Sequence, residues 1–139
     1  MSLSPDSVFV YGTLLLPVVQ RRILGRSLKA GEAVLEGYAR GVVRGQTYPS
    51  LRAAPGSETA GAVVAGVTAG DLALLDAYEG ERYERVAVRV RTVSGLCPAW
   101  VWLLREPWQD LVTADPWDLE EFVREELHGY LESYEGLQD

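Results

Sequence analysis

The sequence is short of the side chains that nucleophilic and metal-assisted chemistry draw on. It holds one cysteine, Cys97, and one histidine, His128, in 139 residues. A single thiol cannot close an internal disulfide, so a reducing, cytoplasmic setting is the default expectation. Cys97 precedes a proline in a strand-like run and reads as a small buried hydrophobe rather than a nucleophile. His128 stands on an acidic stretch with no ligand pattern beside it, so it reads as a surface residue and not as a catalytic or metal-binding one. The glycines form no phosphate loop: no Gly-Lys-Ser/Thr follows them and no dinucleotide-type spacing opens a helix. No metal and no cofactor is therefore expected.

Other absences bound the partners. No run of eighteen apolar residues exists, which argues against a membrane span. Met1 to Ser7 lacks both a basic n-region and an apolar h-region, so it reads as a disordered or tag-derived tail and not as a secretory leader. Positive charge is in the minority, 13 Lys and Arg against 20 Asp and Glu, a net −7. Nucleic acid needs a basic patch that displaces counterions, and none is evident. Much of the acid lies from Asp115 onward, where it reads as the solvated face of a helix. Repeats, heptads and low-complexity tracts are absent.

What is present fits one domain over residues 8–139, with 47% apolar residues and enough chain for its own core. Val8-Phe9-Val10 reads as a buried strand running into a tight turn at Gly12. Gly12 has no Cβ, so a ligand can approach its N–H closely, and a strand–turn–helix junction leaves amide donors without chain partners. A helix is expected from Pro17 to Gly25, with Val18, Val19, Ile23 and Leu24 inward and Gln20, Arg21 and Arg22 outward. Ala33–Leu35 and Tyr38–Val43 read as short strands broken at Gly37; the glycines at 31, 37, 41 and 45 suggest the bends or bulges of a small curved sheet. Leu51–Ala54 and Thr59–Val67 read as a hairpin about Pro55-Gly56-Ser57. Gly61 and Gly66 within it mark either curvature or a close approach.

Thr68 and Asp71 form a capping-box pattern for a helix carrying Leu72, Leu75 and Tyr78, and Gly80 ends it, so Glu79 falls in the last turn. Arg85 to Arg91 alternates with Val86, Val88 and Val90, a strand with one wet face. Cys97 to Leu104 returns after the Ser94-Gly95 turn, apolar on both faces. Trp100 and Trp102 share one side of it and read as core under the last helix, with an aromatic surface as the alternative. That last helix is expected to open at Asp115-Pro116. Its apolar stripe is Leu119, Phe122, Val123, Leu127, Tyr130, Leu131 and Tyr134, and Gly129 is the point of weakness.

Tyr11-Gly12-Thr13-Leu14, then Glu36-Gly37-Tyr38-Ala39-Arg40, Tyr48-Pro49, and Leu75-Asp76-Ala77-Tyr78-Glu79-Gly80 with Tyr83-Glu84-Arg85 stand in that order along the chain. Together this set resembles the γ-glutamylcyclotransferase-like family, which includes the γ-glutamylamine cyclotransferases and the plant AIG2-like proteins. The resemblance runs from about Val8 to Leu104. It implies an α+β fold: a small, strongly curved mixed sheet, barrel-like, with about three helices. Residues 108–139 lie beyond its motifs and are open to three roles: a lid on the pocket, packing at a barrel mouth, or a homodimer contact.

The resemblance also implies a reaction. The free α-amine of a γ-glutamyl group attacks its own side-chain carbonyl, 5-oxoproline forms, and the amide-bonded amine leaves. The nucleophile belongs to the substrate, so no enzymic Ser, Cys or metal is required. Glu79 falls where the resemblance puts the general acid/base. Its place near the negative end of a helix dipole, neighbouring Asp76, Glu81 and Glu84, and desolvation by Tyr78 all push its pKa up, whereas Arg82 and Arg85 would oppose this if they folded back on it. The amides of Tyr11, Gly12, Thr13 and Leu14 would cradle the substrate, with Tyr48 and Tyr83 either pocket walls and hydroxyl donors or packing residues. The partner expected is a small γ-glutamyl compound. The alternative is a non-catalytic module that binds a small carboxylate or amine metabolite on the same fold.

Overall fold

The computed structural model describes residues 5–138, with side chains through Ser133. Five strands close into a barrel in the order β1-β3-β2-β4-β5. They are β1 (Ser7–Val10), β2 (Ala30–Val42), β3 (Pro49–Ala65), β4 (Tyr83–Thr92) and β5 (Gly95–Leu104). The sheet is mixed: β1 runs parallel to β5 at Val8↔Trp100, and the remaining pairs are antiparallel. Four α-helices decorate it, α1 (Pro17–Leu24), α2 (Ala69–Glu79), α3 (Leu119–Glu125) and α4 (Leu127–Gln138), and a single 3-10 turn, Thr13–Leu15, joins β1 to α1.

β1 is buried along its whole length because both of its faces are covered. Strand alternation sends Phe9 into the barrel interior with Leu35, Leu51, Val90 and Val101. Val8 and Val10 point the other way, onto Val19 and Ile23 of α1 and Leu75 of α2. The start of β1 at Ser7, and the bond from Trp100 Nε1 to the Pro5 carbonyl (3.0 Å), bring Pro5 to Ser7 into the fold, although they read from sequence as tail. Met1 to Ser4 lie outside the described residues.

Four local readings are corrected. Gln20, expected outward, is buried: its Nε2 donates to Leu14 O (2.8 Å) and its Oε1 accepts from Leu28 N (2.8 Å), so the side chain replaces missing main-chain partners at both ends of α1. β2 is one strand bulged at Gly37, whose φ of +89° suits glycine. β3 is likewise one strand: both Ala53 and Glu58 face β2, opposite Tyr38 and Glu36, so Pro55-Gly56-Ser57 is an extruded bulge and not a reversal. Last, α3 opens at Asp118, which accepts from Glu121 N (2.9 Å), not at Asp115. Asp115 is unavailable as a cap because its carbonyl accepts from Val42 N (2.9 Å), which holds the bend at 113–115 against the end of β2.

The helix count exceeds the expected three because the C-terminal helix breaks at Glu126 (φ −121°, ψ −22°), three residues before Gly129. Phe122 is buried, whereas Val123, assigned to the same stripe, is 43% exposed. Tyr134 lies outside the described side chains. Trp102 is buried with Leu75 of α2, its Nε1 donating to Asp76 Oδ1 (2.9 Å), so α2 covers the tryptophan face expected under the last helix. Among the described residues no helix is long and apolar enough to cross a membrane.

Candidate functional site

A cavity of about 530 Å³ opens where β1 ends, β3 begins, α2 ends and β4 begins. Its wall includes Tyr11, Gly12, Thr13, Leu14, Tyr48, Glu79 and Tyr83, so the structure brings all the residues singled out by sequence to one concavity. Sixty-odd residues of chain separate Gly12 from Glu79, and barrel closure brings them together.

The first wall is the turn after β1. A Cβ on Gly12 would stand 2.9 Å from Pro49 Cγ and 3.1 Å from Pro49 Cδ, so the bare backbone there is what lets the start of β3 close over the turn. The first bond of the turn runs from Leu15 N–H to Gly12 O (2.9 Å), so the earlier N–H groups of Gly12, Thr13 and Leu14 get no acceptor from the turn itself. Arg40 Nη1 donates to the Tyr11 carbonyl (2.8 Å) while its guanidinium lies 5.4 Å from the centroid of the Trp117 ring. The same β2 residue thus pins the turn and the C-terminal segment. Burial lowers the Arg40 pKa, with Asp118 opposing.

Glu79 enters from the second wall. The capping box, Thr68 Oγ1 accepting from Asp71 N (3.1 Å) and Asp71 Oδ2 accepting from Thr68 N (3.0 Å), sets the start of α2. Gly80, at φ +90°, sets its end. Glu79 is half-buried as a residue, open on the cavity, yet its carboxyl is enclosed deeply enough that desolvation raises its pKa to about 8. Burial is the cause, not the neighbouring acids that the sequence suggests. Asp76 is engaged elsewhere, by Arg85 Nε (3.0 Å) and Trp102 Nε1 (2.9 Å). Neither nearby arginine folds back: Arg85 stacks 4.4 Å from the Trp100 centroid and Arg82 5.4 Å from the Trp108 centroid.

Three tyrosines share the cavity wall with that carboxyl and feel its charge. Burial first and the Glu79 charge second raise the pKa values of Tyr11, Tyr48 and Tyr83, so all three stay protonated donors at neutral pH. Tyr11 OH donates to Trp102 O (3.1 Å). Ser50 is fully buried beside Tyr11 and Tyr83 and its hydroxyl opposes their shifts, though among the described residues its Oγ makes no hydrogen bond of ordinary geometry.

A third wall was not legible in the sequence. Glu126, Gly129, Tyr130 and Ser133 line the cavity. The spacing i, i+3, i+4, i+7 is present, but it is masked by the apolar stripe one residue round the helix, with which it shares Tyr130. The Tyr130 hydroxyl meets Thr13 Oγ1 (3.4 Å) and the Tyr78 hydroxyl, and Thr13 Oγ1 also meets Tyr78 OH (3.0 Å). α4 is thereby tied to the residue after Gly12 and the residue before Glu79. Of the three roles open to 108–139, its described part takes two: Val112 packs with Val43 and Leu104, at the ends of β2 and β5, and α4 walls the cavity.

His128 has a 93% exposed side chain and pairs with Glu132 (3.3 Å). Cys97 is a free, partly exposed thiol away from the cavity. No group of three or more His, Cys, Asp and Glu side chains converges among the described residues.

Residues 8–119 match the family model described as "Gamma-glutamyl cyclotransferase, AIG2-like". Protein AIG2 C of Arabidopsis thaliana is 32% identical over 132 residues, which cover 92% of this chain and 78% of that protein. A solution structure from Arabidopsis thaliana superimposes with a TM-score of 0.69 at 30% identity, covering 96% of this chain and 91% of that one. A structure described as a gamma-glutamyl cyclotransferase shares the fold at a TM-score of 0.61 and 22% identity, over 71% of this chain and 66% of that one. The barrel, the ordered motifs and these likenesses agree, and the chain belongs to the γ-glutamyl cyclotransferase, AIG2-like family.

Proposed function

We propose that this chain is a metal-independent cyclotransferase that converts a γ-glutamyl compound to 5-oxoproline and a free amine, with Glu79 as general acid/base. The observation that carries the reading is that the Glu79 carboxyl, with its pKa raised to about 8, and the bare-backbone turn at Gly12 line one cavity. The N–H groups of Gly12, Thr13 and Leu14 hold the substrate's carboxylate and the reacting carbonyl oxygen. This places the α-nitrogen against the γ-carbonyl carbon, and orientation supplies the largest share of the acceleration.

Glu79 takes a proton from the α-nitrogen as that nitrogen bonds to the γ-carbon, and returns it to the leaving nitrogen as the old C–N bond breaks. Atoms and protons balance without a co-reactant. A carboxyl near 8 lies close to the pKa of about 8 typical of an α-amine, so the first proton transfer runs nearly level, and the protonated carboxyl can then give its proton to the more basic leaving nitrogen. An ordinary carboxylate would be too weak a base for the first. The neutral tyrosine hydroxyls complete the enclosure without offering a competing charge.

The test is a panel of γ-glutamyl amines, amino acids and peptides assayed for 5-oxoproline with the wild type and Glu79→Gln. The expected outcome is lactam from the wild type and a loss of roughly a hundred- to ten-thousand-fold in the variant, with ligand affinity kept. The acid limb of kcat/KM is expected near pH 8 in the wild type, since Glu79 must be ionised to accept the first proton. Binding without any lactam across the panel would instead make the chain a metabolite-binding module.

A further inference from the structure

Among the described residues the cavity wall carries two acidic side chains, Glu79 and Glu126, and no Lys, Arg or His. Glu79 is taken by the proton transfer proposed above. The charge left to face the rest of a bound molecule is Glu126. It sits at the break between α3 and α4, its N–H donating to Phe122 O (2.8 Å) and its carbonyl accepting from Tyr130 N (2.9 Å), so its backbone is fixed. One turn on, the Tyr130 hydroxyl ties the same helix face to Thr13 and Tyr78. Gly129, between them, has open space where a Cβ would be, and leaves a trough along the face.

We infer that Glu126 selects the leaving group: this chain favours γ-glutamyl derivatives of a diamine or polyamine, whose distal ammonium meets the Glu126 carboxylate, and disfavours those whose leaving amine carries a carboxylate. The inference rests on the cyclotransferase reading. With the γ-glutamyl head at the 11–14 turn and Glu79, the leaving amine extends between the 46–48 wall and the α4 wall. The first offers Gln46, Thr47 and Tyr48, all neutral, and the second offers Glu126. At about 530 Å³ the cavity falls in the range that holds drug-sized ligands, so the head alone does not fill it. Arg82, which acts on Tyr48 electrostatically, lies over Trp108 and outside the cavity wall. Glu126 is solvent-exposed, so each unit of charge change is worth only about three- to tenfold, and the cation-to-anion difference about ten- to a hundredfold.

Three near-isosteric substrates test this: γ-glutamyl conjugates of 1,4-diaminobutane, butylamine and 4-aminobutanoate. In the wild type, kcat/KM for 5-oxoproline formation is expected to fall in that order, with the spread shrinking in high salt. Glu126→Gln should flatten the order and Glu126→Lys should reverse it, both with unchanged thermal midpoints. A wild-type preference for the anion, or an order untouched by both substitutions, overturns the inference and leaves the cyclisation intact. Calorimetric binding of the same compounds separates the two claims further. If no lactam forms but affinities follow the charge order and invert in Glu126→Lys, the cyclisation falls and the charge selection stands. If neither rate nor affinity depends on residue 126, the selection falls too.

Discussion

Glu79→Gln should raise the stability of the protein while removing its activity. The carboxyl has its pKa at about 8 in the folded chain against an ordinary 4.5, because folding buries it. Between those values the native state holds a proton that the unfolded state has lost, so stability falls as pH rises. The contribution is fully present below 4.5 and is gone once pH has passed about 8. Moving the pKa from 4.5 to about 8, at about 1.36 kcal/mol for each tenfold change in acidity, is worth close to 5 kcal/mol at most. Because the residue opens on the cavity, solvent screening reduces this to about 3–5 kcal/mol.

Gln has nearly the same shape and nothing to ionise, so its curve lacks the decline. Urea unfolding, followed through the fluorescence of the four tryptophans between about pH 4.5 and pH 9, should show the wild type losing about 3–5 kcal/mol relative to the variant. Lactam formation in the same samples should be absent from the more stable protein. Parallel stability curves for the two chains would show that Glu79 is not desolvated, and the argument for a tuned base would go with it.

Three further outcomes follow from the same geometry. Gly12→Ala puts a methyl 2.9 Å from Pro49 Cγ, which should cost about 1–3 kcal/mol in thermal unfolding and on the order of ten- to a hundredfold in kcat/KM as the turn is displaced; wild-type kinetics in a destabilised variant would separate the turn from the chemistry. Gln20→Leu leaves the Leu14 carbonyl and Leu28 N–H without their 2.8 Å partners, at about 1–3 kcal/mol each in chemical denaturation, and an unchanged midpoint would contradict the bridging role. The Arg26 guanidinium first, and the Thr68 cap after it, hold Asp71, whose side chain is 5% exposed, at a pKa of about 2, below its usual 3.8. That stability is present above 3.8 and lost as pH falls toward 2, so Arg26→Met should lower the urea midpoint at pH 7 and leave it almost unchanged at the acid end, by urea titration at both.

The elements legible in the sequence are those fixed by short-range rules. The alternation through Val8, Phe9 and Val10, the Thr68–Asp71 box and the stop at Gly80 each depend on residues within a turn or two, and together they aim Glu79. What was illegible depends on contacts formed only after the barrel closes. Gln20 looks like any solvated polar residue until two orphan main-chain groups, at Leu14 and Leu28, are seen to meet at its amide. Asp115 is as good a cap as Asp118 until Val42 takes its carbonyl. The cavity face of α4 is polar and sparse, and an apolar stripe is the louder signal on the same helix. Of the causes that the sequence offers for a raised Glu79 pKa, desolvation is the one that acts, and its extent depends on a cavity that spacing does not show.

The C-terminal region bears on the cavity through several independent ties. Arg44 N–H donates to Leu111 O (2.8 Å) and Trp117 Nε1 to Thr47 O (2.9 Å), so the segment before α3 braces the loop that carries Gln46, Thr47 and Tyr48. A Cβ on Gly41 would fall 1.8 Å from Thr113 O, so no side chain can stand between β2 and that segment. Only then does α4 cross the opening. The family match stops at residue 119, and the face that includes Glu126, Tyr130 and Ser133 begins after it. In the proposed reaction the ring-closing parts, the 11–14 turn and Glu79, therefore lie inside the residues that the family model matches, whereas the wall that meets the departing amine lies beyond them, in a stretch that the alignments with the Arabidopsis relatives still reach. Selectivity for that amine can then change by substitution on one helix face without moving the atoms that close the ring.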